Sequence, residues 1–172
     1  MSIMDEKQFL IVDIHSRTAS FRNPEFQNFH KTLMLPPPTT VFGMAGAALG
    51  LGPAATQEFF KEGQWQLGVY GNSRGKAKDL WKYRTLDSKK PTSIIHREIL
   101  VDNHFILVFG NHDAVVLQEL EQAFNDPVYA LTMGNSDSLA RIKKVSRVTG
   151  TTTKREVAHC LVEGDIILKI SS

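Results

Sequence analysis

The chain has one cysteine, Cys160, among 172 residues, so an intramolecular disulfide is impossible and a zinc site built from cysteines is excluded by number. Cys160 lies in the alternating apolar run EVAHCLVE, which reads as a quiet, packed thiol. Long apolar runs are missing as well. The stretch from Val41 to Leu51 falls far short of the roughly 20 residues that a membrane-spanning helix needs, so no membrane partner is expected. The opening MSIMDEKQ is polar and acidic before Phe9, the wrong order for a secretory signal, and the expectation is a cytoplasmic protein. Also lacking are a G-x-S-x-G elbow, a P-loop and an H-E-x-x-H pair, so no catalytic residue, no metal ligand set and no cofactor is assigned. Net charge is only +2 and 42% of the residues are hydrophobic, which excludes global disorder and fits one domain over residues 1–172.

What the chain does have is LPPPTTVFGMAGAALGL, residues 35–51. Pro36 to Pro38 hold the lead-in extended, and Thr39 or Thr40 is the natural N-cap of a helix that follows. At about 100° per residue, Gly43, Gly46 and Gly50 share one face of that helix. Three helical glycines cost roughly 2 to 3 kcal/mol relative to alanine, so close approach of a neighbouring element or a ligand is expected there. The helix start, with Thr39 and Thr40, also offers free amides to a phosphate.

Residues 8–16 read as a buried first strand, 21–31 as a loop or irregular strand, and 65–73 as a second strand. The runs HREILVD and NHFILVFG read as two strands, or one with a break at Asp102 and Asn103. Asp113 caps a helix over AVVLQELEQAF with Val116, Leu120 and Phe124 on one side. VYALTM, residues 128–133, reads as a further strand, Ser136 as the cap of a short helical turn, and EVAHCLVE with DIILKI as a terminal strand pair. The order is that of an α+β, ferredoxin-like βαββαβ domain, the plan of the RNA-recognition motif.

Residues 74–97 carry eight basic side chains, Arg74, Lys76, Lys78, Lys82, Arg84, Lys89, Lys90 and Arg97, against two acidic ones. Interleaved with Leu80, Trp81, Tyr83 and Leu86, they suit a basic hairpin projecting from the core. Arg and Lys there supply phosphate contacts, while Trp81 and Tyr83 offer stacking faces or pack on the core. His96, His104 and His112, spaced by eight near Asp102 and Asp113, are the residues from which a carboxylate and imidazole site is conceivable; ordinary strand and loop histidines are the plainer reading.

The glycine-rich stretch resembles the proline, threonine and glycine-rich helix of CRISPR-associated RAMP proteins, in the family that caps the 5′ end of CRISPR RNA in type I (Cascade) complexes. HREILVDNHF at 96–105 and YALTMGNSDSLARI at 129–142 resemble later blocks of that family in the same order. The resemblance implies the ferredoxin-like fold with its basic hairpin, and an RNA-binding scaffold subunit whose partners are the CRISPR RNA 5′ handle and other Cascade subunits. The glycine-rich loop of that family is reduced here to Gly134, leaving Ser136 and Arg141 as candidate RNA contacts. Some relatives cleave RNA by general acid and base chemistry, for which His15, His30, His96 and Tyr83 are the side chains on offer; none is paired at a diagnostic spacing, and a non-catalytic protein is expected. The alternatives are a metal-independent endoribonuclease acting on CRISPR repeat RNA, and an unrelated ferredoxin-like domain whose basic hairpin is a solvated surface.

Overall fold

A computed structural model describes residues 7–26, 29–86, 89 and 91–150. Along the chain come β1 (Lys7–Ala19), α1 (Pro38–Leu49), α2 (Pro53–Glu62), β2 (Gln66–Arg84), β3 (Thr92–Asn111), α3 (Ala114–Asn125) and β4 (Ala140–Gly150). The four strands form one sheet in the order β2-β3-β1-β4, and every neighbouring pair is antiparallel. This is an α+β protein whose elements follow the split βαβ plan with one additional helix after α1. Among the described residues, no helix is long and apolar enough to cross a membrane.

Alternation along the central strands decides where the core lies. Leu10, Val12 and Ile14 of β1, with Phe105, Leu107 and Phe109 of β3, are wholly buried, and they meet Val41, Met44, Ala45 and Ala48 of α1 and Leu117, Leu120 and Phe124 of α3. The intervening residues, Ile11, Asp13 and His15 on β1 and His104, Ile106 and Val108 on β3, lie on the opposite face of the sheet, which no helix covers among the described residues. Inward side chains then fall three apart, at Leu100 and Asn103, because Asp102 between them takes the left-handed backbone (φ 55°) and shifts the alternation by one. The suspected break at Asp102 and Asn103 is therefore a kink inside one long strand. Asn103 fixes it from within: its buried amide donates to the Ser16 carbonyl and hydroxyl, and its oxygen accepts from the Ser73 hydroxyl at 2.6 Å.

Helix α1 starts earlier than the threonines suggest. Pro38 is its first helical residue and Pro37 stands at the cap with no side-chain bond, because a proline at that position loses no helical hydrogen bond and already has the right φ. Thr39 and Thr40 thus lie inside the first turn. Gly50 ends the helix instead of sitting in it: its φ is 76°, and Leu51 N–H donates back to the Gly46 carbonyl at 2.8 Å. Proline at a helix start recurs in α2, where Gly52 and Pro53 begin a helix that buries Thr56 and Phe60. Phe60 stacks on Phe42 of α1 at 4.2 Å between ring centroids.

Asp113 caps α3 as expected, its carboxylate accepting from Val115 N–H at 2.8 Å and Val116 N–H at 3.4 Å. The buried stripe is Leu117, Leu120 and Phe124, with Val116 at its margin. Residues 128–133 are not a strand. Val128 and Tyr129 donate to the last carbonyls of α1, at Ala48 (3.0 Å) and Ala47 (3.2 Å), so their backbone caps a helix and leaves only an isolated bridge at Thr132. Ser136 opens no helix either: a turn there leads into β4, a strand that its charged sequence RIKKVSRVTG concealed. EVAHCLVE and DIILKI lie outside the described residues.

Candidate nucleic-acid interface

Strands β2 and β3 keep one uninterrupted register from Gln66 opposite Gly110 to Arg84 opposite Thr92. β1 accompanies β3 only as far as Ala19 opposite Leu100, so the distal part of the pair leaves the sheet as a two-stranded ribbon. The eight steps from Leu100 to Thr92 carry it about 26 Å beyond that point. Basic residues 74–84 therefore form the outer half of β2, continuous with the sheet, and not a separate insertion.

Alternation gives the ribbon two dissimilar faces. Lys76, Lys78, Leu80, Lys82 and Arg84 share one with Ile94, His96 and Glu98; Asp79, Trp81 and Tyr83 share the other with Ile95 and Arg97. On the first face, Lys82 and Arg84 are exposed, while Lys76 reaches Glu98 (3.8 Å) and Lys78 lies 6.0 Å from the Phe29 ring. Arg74, near the kink, faces Asp102 at 3.8 Å and is largely exposed. Lys89 stands exposed at the tip, and Lys90 lies outside the described residues.

Arg97 is set apart from the other basic residues of the ribbon by burial and two carboxylate partners. It is 9% exposed, pairs with Asp79 at 2.7 Å and Asp137 at 2.9 Å, and has its guanidinium 5.8 Å from the centre of the Trp81 ring. Burial disfavours its charge, but the hydrogen bonds it donates to the two carboxylates outweigh burial and hold the guanidinium more firmly protonated than usual. One terminal nitrogen makes both carboxylate contacts and ties the ribbon root to the 134–138 turn, while the buried Nε has no hydrogen-bond partner among the described residues.

Trp81 and Tyr83 are neither core residues nor free surface. They lie 5.7 Å apart between ring centroids, are 43% and 38% exposed, and line a cavity of about 250 Å³ with Arg22, His30 and Ile95. His30 stands 5.8 Å from Trp81 and is fixed by backbone bonds: its N–H donates to the His96 carbonyl at 2.9 Å, and its carbonyl accepts from Glu98 N–H at 2.8 Å. Partial burial first, and then Arg22 and Arg97, lower its pKa below the ordinary 6.5, so the imidazole is neutral at neutral pH. The cleft thus combines two aromatic faces, a neutral imidazole and the Arg22 guanidinium, a set able to sandwich a base and reach its phosphate.

A second concavity belongs to the glycine helix. Thr39, Phe42 and Gly43 line a mostly apolar groove of about 680 Å³ against α2, and Thr40 and Gly43 line another of about 210 Å³ with Thr132 and Gly134. Gly43 is exposed, and a methyl group added there meets nothing within 4 Å. Gly46 differs: its missing side chain admits Thr56 of α2, whose hydroxyl and methyl occupy that space. Gly134 requires its hydrogen, since φ is 93° and a Cβ would run into the Ser20 carbonyl. Ser136 is exposed in the turn that follows, and Asp137 of the same turn is the carboxylate that holds Arg97. The 134–138 turn thereby joins the ribbon root to the smaller concavity beside α1. Arg141 is on β4, opposite His15, away from that turn's contacts.

Among the acid and base candidates, His30 and Tyr83 share the cleft, His96 is exposed on the basic face, and His15 is on the sheet. His96, His104 and His112 do not meet, since eight residues of extended strand separate each from the next by about 26 Å. What sequence missed is that His104 lies opposite His15 in the β1–β3 register, 89 positions away.

A family model described as CRISPR-associated protein (Cas_Cas5), Cas_Cas5d, matches residues 9–165. No curated protein matches the sequence. Among solved structures, a chain of a CRISPR RNA-guided surveillance complex is similar at a TM-score of 0.58 and 18% identity, over 75% of this chain and 58% of that one. A Cas protein is similar at 0.50 and 21% identity, over 74% and 57%. A chain of the type III-B Cmr-beta complex bound to cognate target RNA is similar at 0.56 and 13% identity, over 84% and 61%. This chain spans less than two thirds of the length of each of these three neighbours. Identities this low carry a likeness of fold.

Proposed function

The chain belongs to the CRISPR-associated Cas5 family, and from that premise we propose that it is an RNA-binding scaffold subunit of a type I CRISPR interference (Cascade) complex, holding the repeat-derived 5′ handle of CRISPR RNA. The observation that carries this reading is the two-faced ribbon, with Lys82 and Arg84 exposed on one side and the Trp81–Tyr83 cleft on the other. A single strand passing the ribbon is held by its phosphates on the basic face, while an unstacked base enters the cleft beside His30 and Arg22. The 134–138 turn carries the path toward Thr39, Thr40 and Gly43, where Ser136 supplies a hydroxyl and Thr39 the amide left at the start of α1, since Pro38 has no N–H and Thr40 N–H donates to the Pro37 carbonyl at 2.9 Å. Lys76, Lys78, Arg74 and Lys89 add to the field that draws the strand in.

The reading agrees with the mostly apolar groove between α1 and α2, a surface suited to neighbouring subunits of such a complex. The test is fluorescence anisotropy of the purified chain with labelled repeat-derived RNA and with a scrambled RNA of equal length. Preference for the repeat-derived RNA, and its recovery uncleaved after incubation in EDTA, is the expected result. Equal affinity for the two RNAs removes the handle from the reading, and specific cleavage in EDTA replaces the scaffold with a metal-independent endoribonuclease.

A further inference from the structure

The sheet face that no helix covers among the described residues carries a cluster that the RNA path does not use. His15 and His104 are cross-strand partners, with rings 4.1 Å apart and tilted by 33°. Asp13, two residues before His15 and so on the same face, directs one carboxylate oxygen to both: 2.9 Å from His104 Nε2 and 3.5 Å from His15 Nε2. One donor atom from each residue lies within 4.8 Å of the others.

We propose that Asp13, His15 and His104 form a binding site for a divalent transition metal, with zinc the best match. Two imidazoles and a carboxylate are the donors that zinc takes, and bonds of 2.0–2.1 Å in tetrahedral geometry put donor atoms about 3.3 Å apart. The two carboxylate distances bracket that value, and the remaining donor pair lies within 4.8 Å, so binding would draw the two imidazoles closer together. The side chains of Asp13, His15 and His104 keep 30%, 40% and 47% of their exposure, which leaves room for water to complete the coordination. The strands are the two central ones of the sheet, so the backbone beneath the site is fixed by pairing on both sides.

The surroundings set the strength of the site. Lys144 stands opposite Asp13 and Arg141 opposite His15 on β4, and Lys143 acts on His15 through space, whereas Asp102 acts on it with the opposite sign. The basic strand opposes a second positive charge, and the site therefore binds more weakly than an all-protein structural zinc centre with four closed ligands. A bound metal would give the open face a Lewis-acidic point that none of its side chains provides. This inference rests on the three side chains and holds whether or not the ribbon grips RNA.

The full chain, stripped with chelator and dialysed, is titrated with zinc chloride by calorimetry and with cobalt(II) by visible absorbance. Saturation at one metal per chain is expected, with intense tetrahedral cobalt bands and a zinc-dependent rise in melting temperature. His15→Gln and His104→Gln are each expected to weaken uptake by more than tenfold and to abolish the cobalt bands, since even the loss of groups that only orient a ligand costs about 10- to 100-fold. Should one of the two fail to fold, as judged by circular dichroism of the stripped protein, the other decides. Absence of saturable uptake overturns the proposal. So does uptake unchanged in the folded variant, which assigns the metal to other donors such as His112, His159 or Cys160.

Discussion

The distal ribbon and helix α1 are both rich in residues suited to RNA, but they are held in different ways. Beyond Leu100 the ribbon meets other described residues through a few side chains, Arg22, Phe29, His30 and Asp137, and its exposed Lys82 and Arg84 can change without disturbing a core. α1 buries Val41, Met44, Ala45, Gly46 and Ala48, and its exposed Gly43 lies between two concavities that the same helix walls. In the ribbon, binding and folding are separable; in α1, a substitution that reaches the candidate surface risks the packing beneath it. Experiments on the two regions therefore read different quantities.

The largest effect is expected in α1. Gly46→Leu forces a side chain into the space of Thr56, and overpacking of this kind costs about 1 to 3 kcal/mol or more. A large fall in melting temperature, or loss of soluble protein, is the expected outcome. Gly46→Ala should be milder and partly rescued by Thr56→Ala, because two of its three nearest atoms are the Thr56 hydroxyl and methyl. A double-mutant cycle by thermal denaturation checks this. A Gly46→Leu protein as stable as the wild type would dissolve the contrast from the α1 side.

In the ribbon the expected losses are of affinity. Trp81→Ala should weaken binding of single-stranded RNA by about 1 to 3 kcal/mol with little change in salt dependence. The Lys82→Ala, Arg84→Ala double variant should weaken binding mainly at low salt and flatten the slope of log K against log salt by about 1.4, two phosphate contacts at about 0.7 each. Salt titrations of the two variants side by side sharpen the comparison of faces. Identical slopes in both would mean that the charged face does not meet phosphate.

The smallest effect concerns His30. Its folded pKa is lowered by burial and by Arg22 and Arg97, so below the ordinary value of 6.5 the unfolded chain takes up the proton first. Its neutral form adds no penalty above that value, and stability is lost as pH falls through 6.5 toward the lowered folded value. Denaturation from about pH 7 down to about pH 5 should therefore show a slightly shallower decline in His30→Gln than in the wild type. The site is partly solvated, which keeps the difference small.

Local signals carried much of this architecture. β1 and β3 announced themselves by apolar alternation, α3 by Asp113 and a stripe ending at Phe124, and the ribbon by charge density. The failures have physical causes. Gly52–Pro53 reads as a turn unless proline is credited as a first helical residue, and Pro37–Pro38 misplaced the start of α1 for the same reason. Residues 128–133 have strand-like composition, yet Val128 and Tyr129 give their amides to α1 carbonyls, a partner that no local pattern reveals. The basic count over 74–97 could not separate Arg97, locked between Asp79 and Asp137, from Lys82 and Arg84, since burial is decided by the fold. Asp13, His15 and His104 converge only once the β1–β3 register is known.

The unbroken register of β2 and β3 also governs which changes of length the family member can accept. Side chains repeat every second residue, so adding or deleting one residue between Lys76 and Arg84 exchanges the faces beyond it: the lysines would take the side of the cleft, and Trp81 and Tyr83 the other. Two residues added to β2 and matched by two in β3 preserve both the pairing and the faces. At the turn between Arg84 and Thr92 that constraint lapses. Drift in chain length should thus accumulate at the tip in single steps and along the shaft only in even ones, giving the ribbon a parity rule that outlasts similarity of its residues.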